Sequence, residues 1–132
     1  MCARRTVRSS NRIPPAVGPY SQAIAWGDML FCSGIIPLSP ETGKVSGDTI
    51  EEQTRQVLDN MRTLLADLGL DLGCVLKTTV FLSDMEHFNA FNAVYSEYFA
   101  SDPPARSTVQ VARLPLDVLI EVEAIVGTSD SP

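Results

Sequence analysis

The chain of 132 residues contains one histidine, His87. Without partners at ligand spacing, a His/Cys metal cluster and a Ser/His/Asp triad both lack support, so no metal site is expected. The three cysteines, Cys2, Cys32 and Cys74, form no Cys-x-x-Cys pair. Odd in number and far apart, they suggest a reducing compartment, hence a cytoplasmic location, and not a disulfide framework. There is no P-loop and no GxGxxG pattern, which removes the case for a nucleotide cofactor, and no cofactor of another kind is expected. Positive charge is scarce. Ten Lys and Arg residues stand against 16 Asp and Glu, a net charge of -6, which argues against a general partnership with nucleic acid or an anionic membrane surface. No apolar run approaches the roughly 18 residues that a membrane span needs.

With 45% hydrophobic and 20% charged residues, the composition is that of an ordinary globular protein, and the length suits a single domain, 1–132, with a core of its own. Arg4, Arg5, Arg8 and Arg12 precede the first acidic residue, Asp28, a pattern superficially like that of an organelle transit peptide. The run is short, however, and Arg5 to Ser9 alternates like an edge strand. Ile13 to Tyr20 (IPPAVGPY) is held out of helix by its prolines and glycine, as an ordered loop. Such loops often line sites; Tyr20 at its end is either a pocket wall or a packed aromatic.

Ser21 to Trp26 and Met29 to Ile36 read as strands joined by a two-residue turn, Gly27-Asp28. Ser33 and Gly34 interrupt the second strand, and a glycine there marks a bulge or the close approach of another group. Thr49 to Leu68 is the clearest helix. A capping box of Thr49 and Glu52 opens it, Gly69 follows its end, and Ile50, Val57, Leu58, Met61, Leu64, Leu65 and Leu68 fall on one stripe. Val75 to Leu82 is a strand. Asp84 is placed to cap a second helix, Met85 to Ala100, whose aromatic stripe of Phe88, Phe91, Tyr95, Tyr98 and Phe99 reads as core. His87 reads as a surface residue, and Asn92 as either a solvated amide or a pocket donor.

Pro103 to Gly127 (PPARSTVQVARLPLDVLIEVEAIVG) places charge in an otherwise apolar setting. Alternation sends Leu119, Glu121, Glu123 and Ile125 to one face of the last strand, and Ile120, Val122, Ala124 and Val126 to the other. Arg106, Thr108 and Gln110 share a face of the preceding strand. A hairpin folded about Leu114-Pro115 would set Thr108 opposite Glu121 and Arg106 opposite Glu123 on one sheet surface. An unpaired buried charge costs several kcal/mol. The pair is therefore either a structural ion pair or an anion cleft, in which Arg106 grips a carboxylate with a bidentate fork and Glu121 handles a proton or a water.

The element order predicts an α+β sandwich, with two helices packed on one face of a mixed, mostly antiparallel sheet. The strands at Met29, Val75 and Leu119 carry apolar side chains on both faces. The uncovered face then needs a partner, and self-association, with clefts between subunits, is the economical one.

GPYSQA at 18–23, SGIIP at 33–37, KTTVFLSD at 77–84, FNAVYSEYF at 91–99 and PPARSTVQVARLP followed by IEVEAI together resemble the Rid (YjgF-like) family, in order and over almost the whole chain. The likeness is to its RidA branch. It implies a chorismate-mutase-like fold, a homotrimer and the activity of a 2-iminobutanoate/2-iminopropanoate deaminase, which hydrolyses 2-imino and 2-enamino acids to 2-keto acids and ammonia. By the same resemblance Arg106 is the carboxylate-binding arginine and Glu121 the catalytic glutamate. Tyr20, Ser33, Gly34, Asn92 and main-chain groups of Thr108 complete the pocket. Two positions depart from the common pattern. Thr108 stands where many members have cysteine, and Ile35 replaces the glutamine of SGQIP, which bears on fine substrate preference. A non-catalytic trimeric sensor of keto acids could use the same arginine. A ribonuclease or translation inhibitor is a third reading, against which the acidic charge and lone histidine argue.

Overall fold

The computed structural model describes residues 2–128. β1 (Arg5–Arg8), β2 (Ala23–Trp26) and β3 (Met29–Ile35) lead into α1 (Ile50–Asp67), and β4 (Val75–Leu82), α2 (Phe88–Tyr98), β5 (Ala105–Gln110) and β6 (Ile120–Gly127) follow. The six strands form one sheet in the order β1-β2-β3-β6-β4-β5. β4 and β5 run parallel, and the other neighbouring pairs are antiparallel. Both helices lie on one face, which is the predicted architecture.

Local chemistry explains the elements. Gly27, at φ 57°, makes the turn between β2 and β3, since its backbone enters a region that side chains disfavour. The Thr49 hydroxyl accepts from the Glu52 amide at 3.1 Å and donates to the Glu52 carboxylate at 3.0 Å. The first is the N-cap bond of the predicted capping box, while the Glu52 carboxylate returns to the Thr49 hydroxyl instead of its backbone amide, and Glu51 and Glu52 face the positive end of the helix dipole. At the other end Gly69, at φ 78°, takes the left-handed turn that stops α1. Val57, Leu58, Met61, Leu64 and Leu65 are almost wholly buried, as are Leu30, Val80, Val122 and Val126 of the sheet. Asp84 caps a single 3-10 turn, Met85–His87, by accepting from the Glu86 amide, so α2 begins at Phe88 and not at the predicted Met85. Its aromatic stripe is core in part: Phe91, Tyr95 and Phe99 are buried and their rings stack at 5.2 and 4.7 Å. The N-terminal arginine-rich segment is the edge strand β1, exposed throughout.

The predicted hairpin of the last two strands does not form. β4 lies between β5 and β6, pairing with the first in parallel and with the second antiparallel. The cause is topological. A helix connects β4 to β5, and a helical crossover sets its flanking strands parallel, so β5 occupies the outer edge of β4. The chain then passes over the end of β4 to reach β6. Val111 donates to the Leu82 carbonyl at 2.9 Å and Ser83 to that of Leu119 at 3.1 Å, so both ends of the link are fastened to the same strand end. A 3-10 turn at Pro115–Asp117, with Leu116 and Asp117 at positive φ, takes the place of a tight hairpin loop.

The uncovered face keeps apolar side chains. Phe31 on β3 and Val109 on β5 are 45% and 43% exposed there. Among the described residues no helix is long and apolar enough to cross a membrane.

Thr49→Ala removes both hydrogen bonds of the capping hydroxyl. It is expected to lower unfolding free energy by about 1 kcal/mol, read as a lower urea midpoint at unchanged m; an unchanged midpoint would contradict the cap.

Candidate active site

Paired residues on neighbouring strands point to the same face of a sheet, so the register assigns each candidate to a side. Glu121 pairs with Phe81, which pairs with Val109. This row is on the uncovered face. Arg106 pairs with Thr78, which pairs with Ala124, and both partners are buried toward the helices. Within one chain, then, Arg106 and Glu121 lie on opposite faces of the sheet. The expected juxtaposition of Arg106 with Glu123 and of Thr108 with Glu121 fails for the same reason. Inserting β4 shifts the pairing, and Thr108 stands in the row of Val80 and Val122.

The glutamate half is an open cleft of about 440 Å3 lined by Val17, Tyr20, Ser33, Gly34, Ile36, Pro115, Glu121 and Glu123. Tyr20 is a pocket wall, half-exposed at the end of its proline-rich loop. The ladder between β3 and β6 slips between Cys32 and Ile35, which is the bulge predicted at Ser33-Gly34. There the Ser33 hydroxyl donates to the Ser21 carbonyl at 2.6 Å and its amide to the Gln22 carbonyl at 2.9 Å. The side chain is thus committed to holding the loop against β3. Gly34 is the close approach. A Cβ on it would lie 2.8 Å from Cδ of Glu121, inside the van der Waals limit, so only glycine lets the carboxylate lie over this backbone. Partial burial lifts the Glu121 pKa above the ordinary glutamate value, and the negative charge of Glu123 adds to the rise.

The arginine half lies under α2, at the outer edge of the sheet. The guanidinium carbon of Arg106 is 5.7, 5.1 and 4.9 Å from the ring centres of Phe88, Phe91 and Tyr95. Among the described residues it enters no ion pair, so a structural Arg106 salt bridge is excluded within the described chain. The ring faces attract the cation without neutralising it and leave its donors for an anion. Tyr95 is itself anchored through its hydroxyl to Thr78 at 2.7 Å. Two residues along β5 and on the same face, the Thr108 hydroxyl oxygen is buried and has no hydrogen-bond partner among the described residues. Asn92 is half-buried on α2, between Phe91 and Tyr95 in sequence.

The predicted residues therefore fall into two groups: Tyr20, Ser33, Gly34 and Glu121 in the cleft, and Arg106, Thr108 and Asn92 beneath or upon α2. Sequence reasoning missed the aromatic bed of Arg106, because Phe88, Phe91 and Tyr95 have the spacing of any core stripe. It also missed Glu123 and Pro115 as cleft lining. Cys32 is buried, its thiol pushed up to about 11, as suits a small core residue and not a nucleophile.

Comparison with known proteins places this arrangement in context. The family model described as Endoribonuclease L-PSP matches residues 10–128. A RutC family protein of Pyrococcus horikoshii is 52% identical over 112 residues, 85% of this chain and 89% of its own length. The 2-iminobutanoate/2-iminopropanoate deaminase of Escherichia coli K12 is 45% identical over 124 residues, covering 92% of this chain and 95% of its own. Among solved structures, E. coli TdcF with bound serine superposes with a TM-score of 0.88 at 41% identity, over 94% of this chain and 99% of that one.

The raised Glu121 pKa has a consequence for stability. Between the ordinary glutamate value of 4.5 and the higher folded value, the folded chain holds this proton more tightly than the unfolded one, so stability falls as pH rises through that window. Glu121→Gln removes the group and is expected to gain stability relative to wild type across the window and to keep the gain above it. Urea midpoints that change in parallel with pH for the two proteins would contradict the assignment.

Proposed function

The chain belongs to the Endoribonuclease L-PSP family, the Rid or YjgF-like proteins, and from that membership we propose that it hydrolyses reactive 2-imino and 2-enamino acids to 2-keto acids and ammonia. The observation that carries the reading is Arg106: a cation without an acidic partner among the described residues, set on three aromatic rings at a sheet edge. Such a group suits a small organic acid, whose carboxylate can take two parallel hydrogen bonds from the fork.

Because Arg106 and Glu121 occupy opposite faces of one sheet, the site is completed between copies, with the arginine of one subunit meeting the glutamate cleft of the next. The apolar side chains left on the uncovered face, Phe31 and Val109 among them, give the copies a reason to associate. A homotrimer is the assembly implied by the family resemblance.

In that site the electrophilic carbon of the C=N bond lies over the Glu121 cleft while Arg106 holds the adjacent carboxylate. A protonated imine is attacked by water, whose proton passes to the Glu121 carboxylate. The same proton is then returned to nitrogen, the C–N bond of the carbinolamine breaks, and ammonia leaves as the hydroxyl proton passes to the Glu121 carboxylate and the carbonyl forms; release of that proton to solvent or to the departing ammonia resets the carboxylate. A carboxylate beside the reacting carbon is suited to both halves of that exchange. Free imines already hydrolyse in water, so positioning and one proton relay are sufficient.

A purely ligand-binding role would use the same arginine, and the serine bound in TdcF is in keeping with a site for small amino or keto acids. Glu121 separates the two readings, since binding does not need its proton. Ribonuclease chemistry is disfavoured by the acidic net charge of -6 and the single histidine, His87.

With imine generated by a serine or threonine dehydratase, purified protein is expected to accelerate keto-acid appearance over buffer. Arg106→Ala should lose about 100-fold or more in kcat/KM, carried largely by KM, and Glu121→Gln about 100-fold in kcat. Gly34→Ala should reduce turnover with little change in the urea midpoint, because the displaced atoms are the mobile end of one side chain. No acceleration by wild type would refute the deaminase, and full activity of Glu121→Gln would refute its proton role.

A further inference from the structure

A second, narrower pocket of about 60 Å3 opens from the Glu121 cleft and shares Val17, Tyr20, Ser33, Gly34 and Ile36 with it. It runs inward beneath the proline-rich loop, past Ala16 and Ile35, to Leu38, Asn60 and Leu64 of the core. Only three of its lining residues besides Tyr20 carry polar side chains, and each is already engaged. The Gln22 amide accepts from the Ser10 amide at 2.7 Å and donates to the Ser10 and Pro14 carbonyls at 3.1 Å each. Asn60 donates to the Leu38 carbonyl and accepts from Gln56, both at 2.9 Å. Ser33 donates to Ser21. A polar group entering the pocket would lose its water and find few free donors or acceptors, whereas an alkyl group would replace poorly placed water with apolar contact.

Resting on the imine-hydrolase reading of the cleft, we propose that this pocket takes the side chain of the substrate and selects small alkyl chains, unbranched or branched, over both the shortest and polar ones. The volume of about 60 Å3 is several times the roughly 10–15 Å3 needed to hold a single water, so the pocket takes more than a methyl group. Ile35 and Ala16 are the residues that set its character. Ile35 supplies apolar wall where a longer polar side chain would present an amide, and Ala16 leaves open a space that a larger loop residue would fill.

The test is calorimetry with 2-keto acids, which share the carboxylate and differ in side chain, on the assembled protein. 4-Methyl-2-oxopentanoate is expected to bind at least about tenfold more tightly than pyruvate, while 2-oxoglutarate, of similar length but charged at its end, gains nothing over pyruvate. Ile35→Gln and, independently, Ala16→Phe should each bring the affinity ratio of the alkyl ligand to pyruvate close to one. Equal affinities for the three ligands in wild type, or a ratio unaltered by both variants, would overturn the assignment. The imine assay is read separately. An alkyl preference in binding without acceleration of any imine would leave the pocket in place and remove the hydrolase reading.

Discussion

A β-strand turns successive side chains to opposite faces, and the whole candidate site is laid out by that alternation. On β6 it sends Ile120, Val122, Ala124 and Val126 into the core and Glu121 and Glu123 to the uncovered face. On β5 the pairing through β4 sends Arg106 and Thr108 toward the helices. Between guanidinium and carboxylate lies the hydrogen-bonded layer of the sheet itself, packed on its helix side by Val80 and Val122, which have no measurable exposure. No rotamer change carries either group through that layer. A single chain therefore presents two incomplete halves, one cationic and one acidic, and chemistry that needs both requires a second copy.

Each half is held by its own surroundings. Glu121 depends on the absence of a side chain at Gly34, within a bulge that the Ser33 hydroxyl fastens to the loop before β2. Its partial burial raises the cost of ionisation. Arg106 depends on α2. Tyr95, tied to Thr78, and its neighbours Phe88 and Phe91 support the cation at ring-face distance. Neither environment neutralises its charge, which is uncommon for groups kept within a structural ion pair and ordinary for groups that wait for a ligand.

Most of the framework was legible in the residues because the signals were local. Thr49 with Glu52 opens α1, Gly69 ends it, Gly27 turns β2 into β3, and the glycine at 34 announced a bulge. The alternation along β6 was also correct residue by residue. What could not be read was which strand lies beside which. Pro103 to Gly127 looks like a hairpin because β-branched runs flank Leu114-Pro115, yet strand order is decided by the α2 crossover, a long-range constraint with no mark in that segment. The error carried directly into the site, since inserting one strand between β5 and β6 moves Arg106 to the other face from Glu121. Family resemblance supplied the residue identities; the register set them on opposite faces of one sheet.

The most direct measurement mixes two inactive variants. Arg106→Ala and Glu121→Gln proteins, unfolded together in equal amounts and refolded so that subunits reassort, are assayed for imine hydrolysis. If each site takes its arginine and its glutamate from different subunits, about a quarter of the sites regain both groups by chance, and activity returns to about a quarter of wild type. If both groups of a site come from one chain, every site in the mixture stays defective, and activity no higher than that of the separate variants would contradict the account.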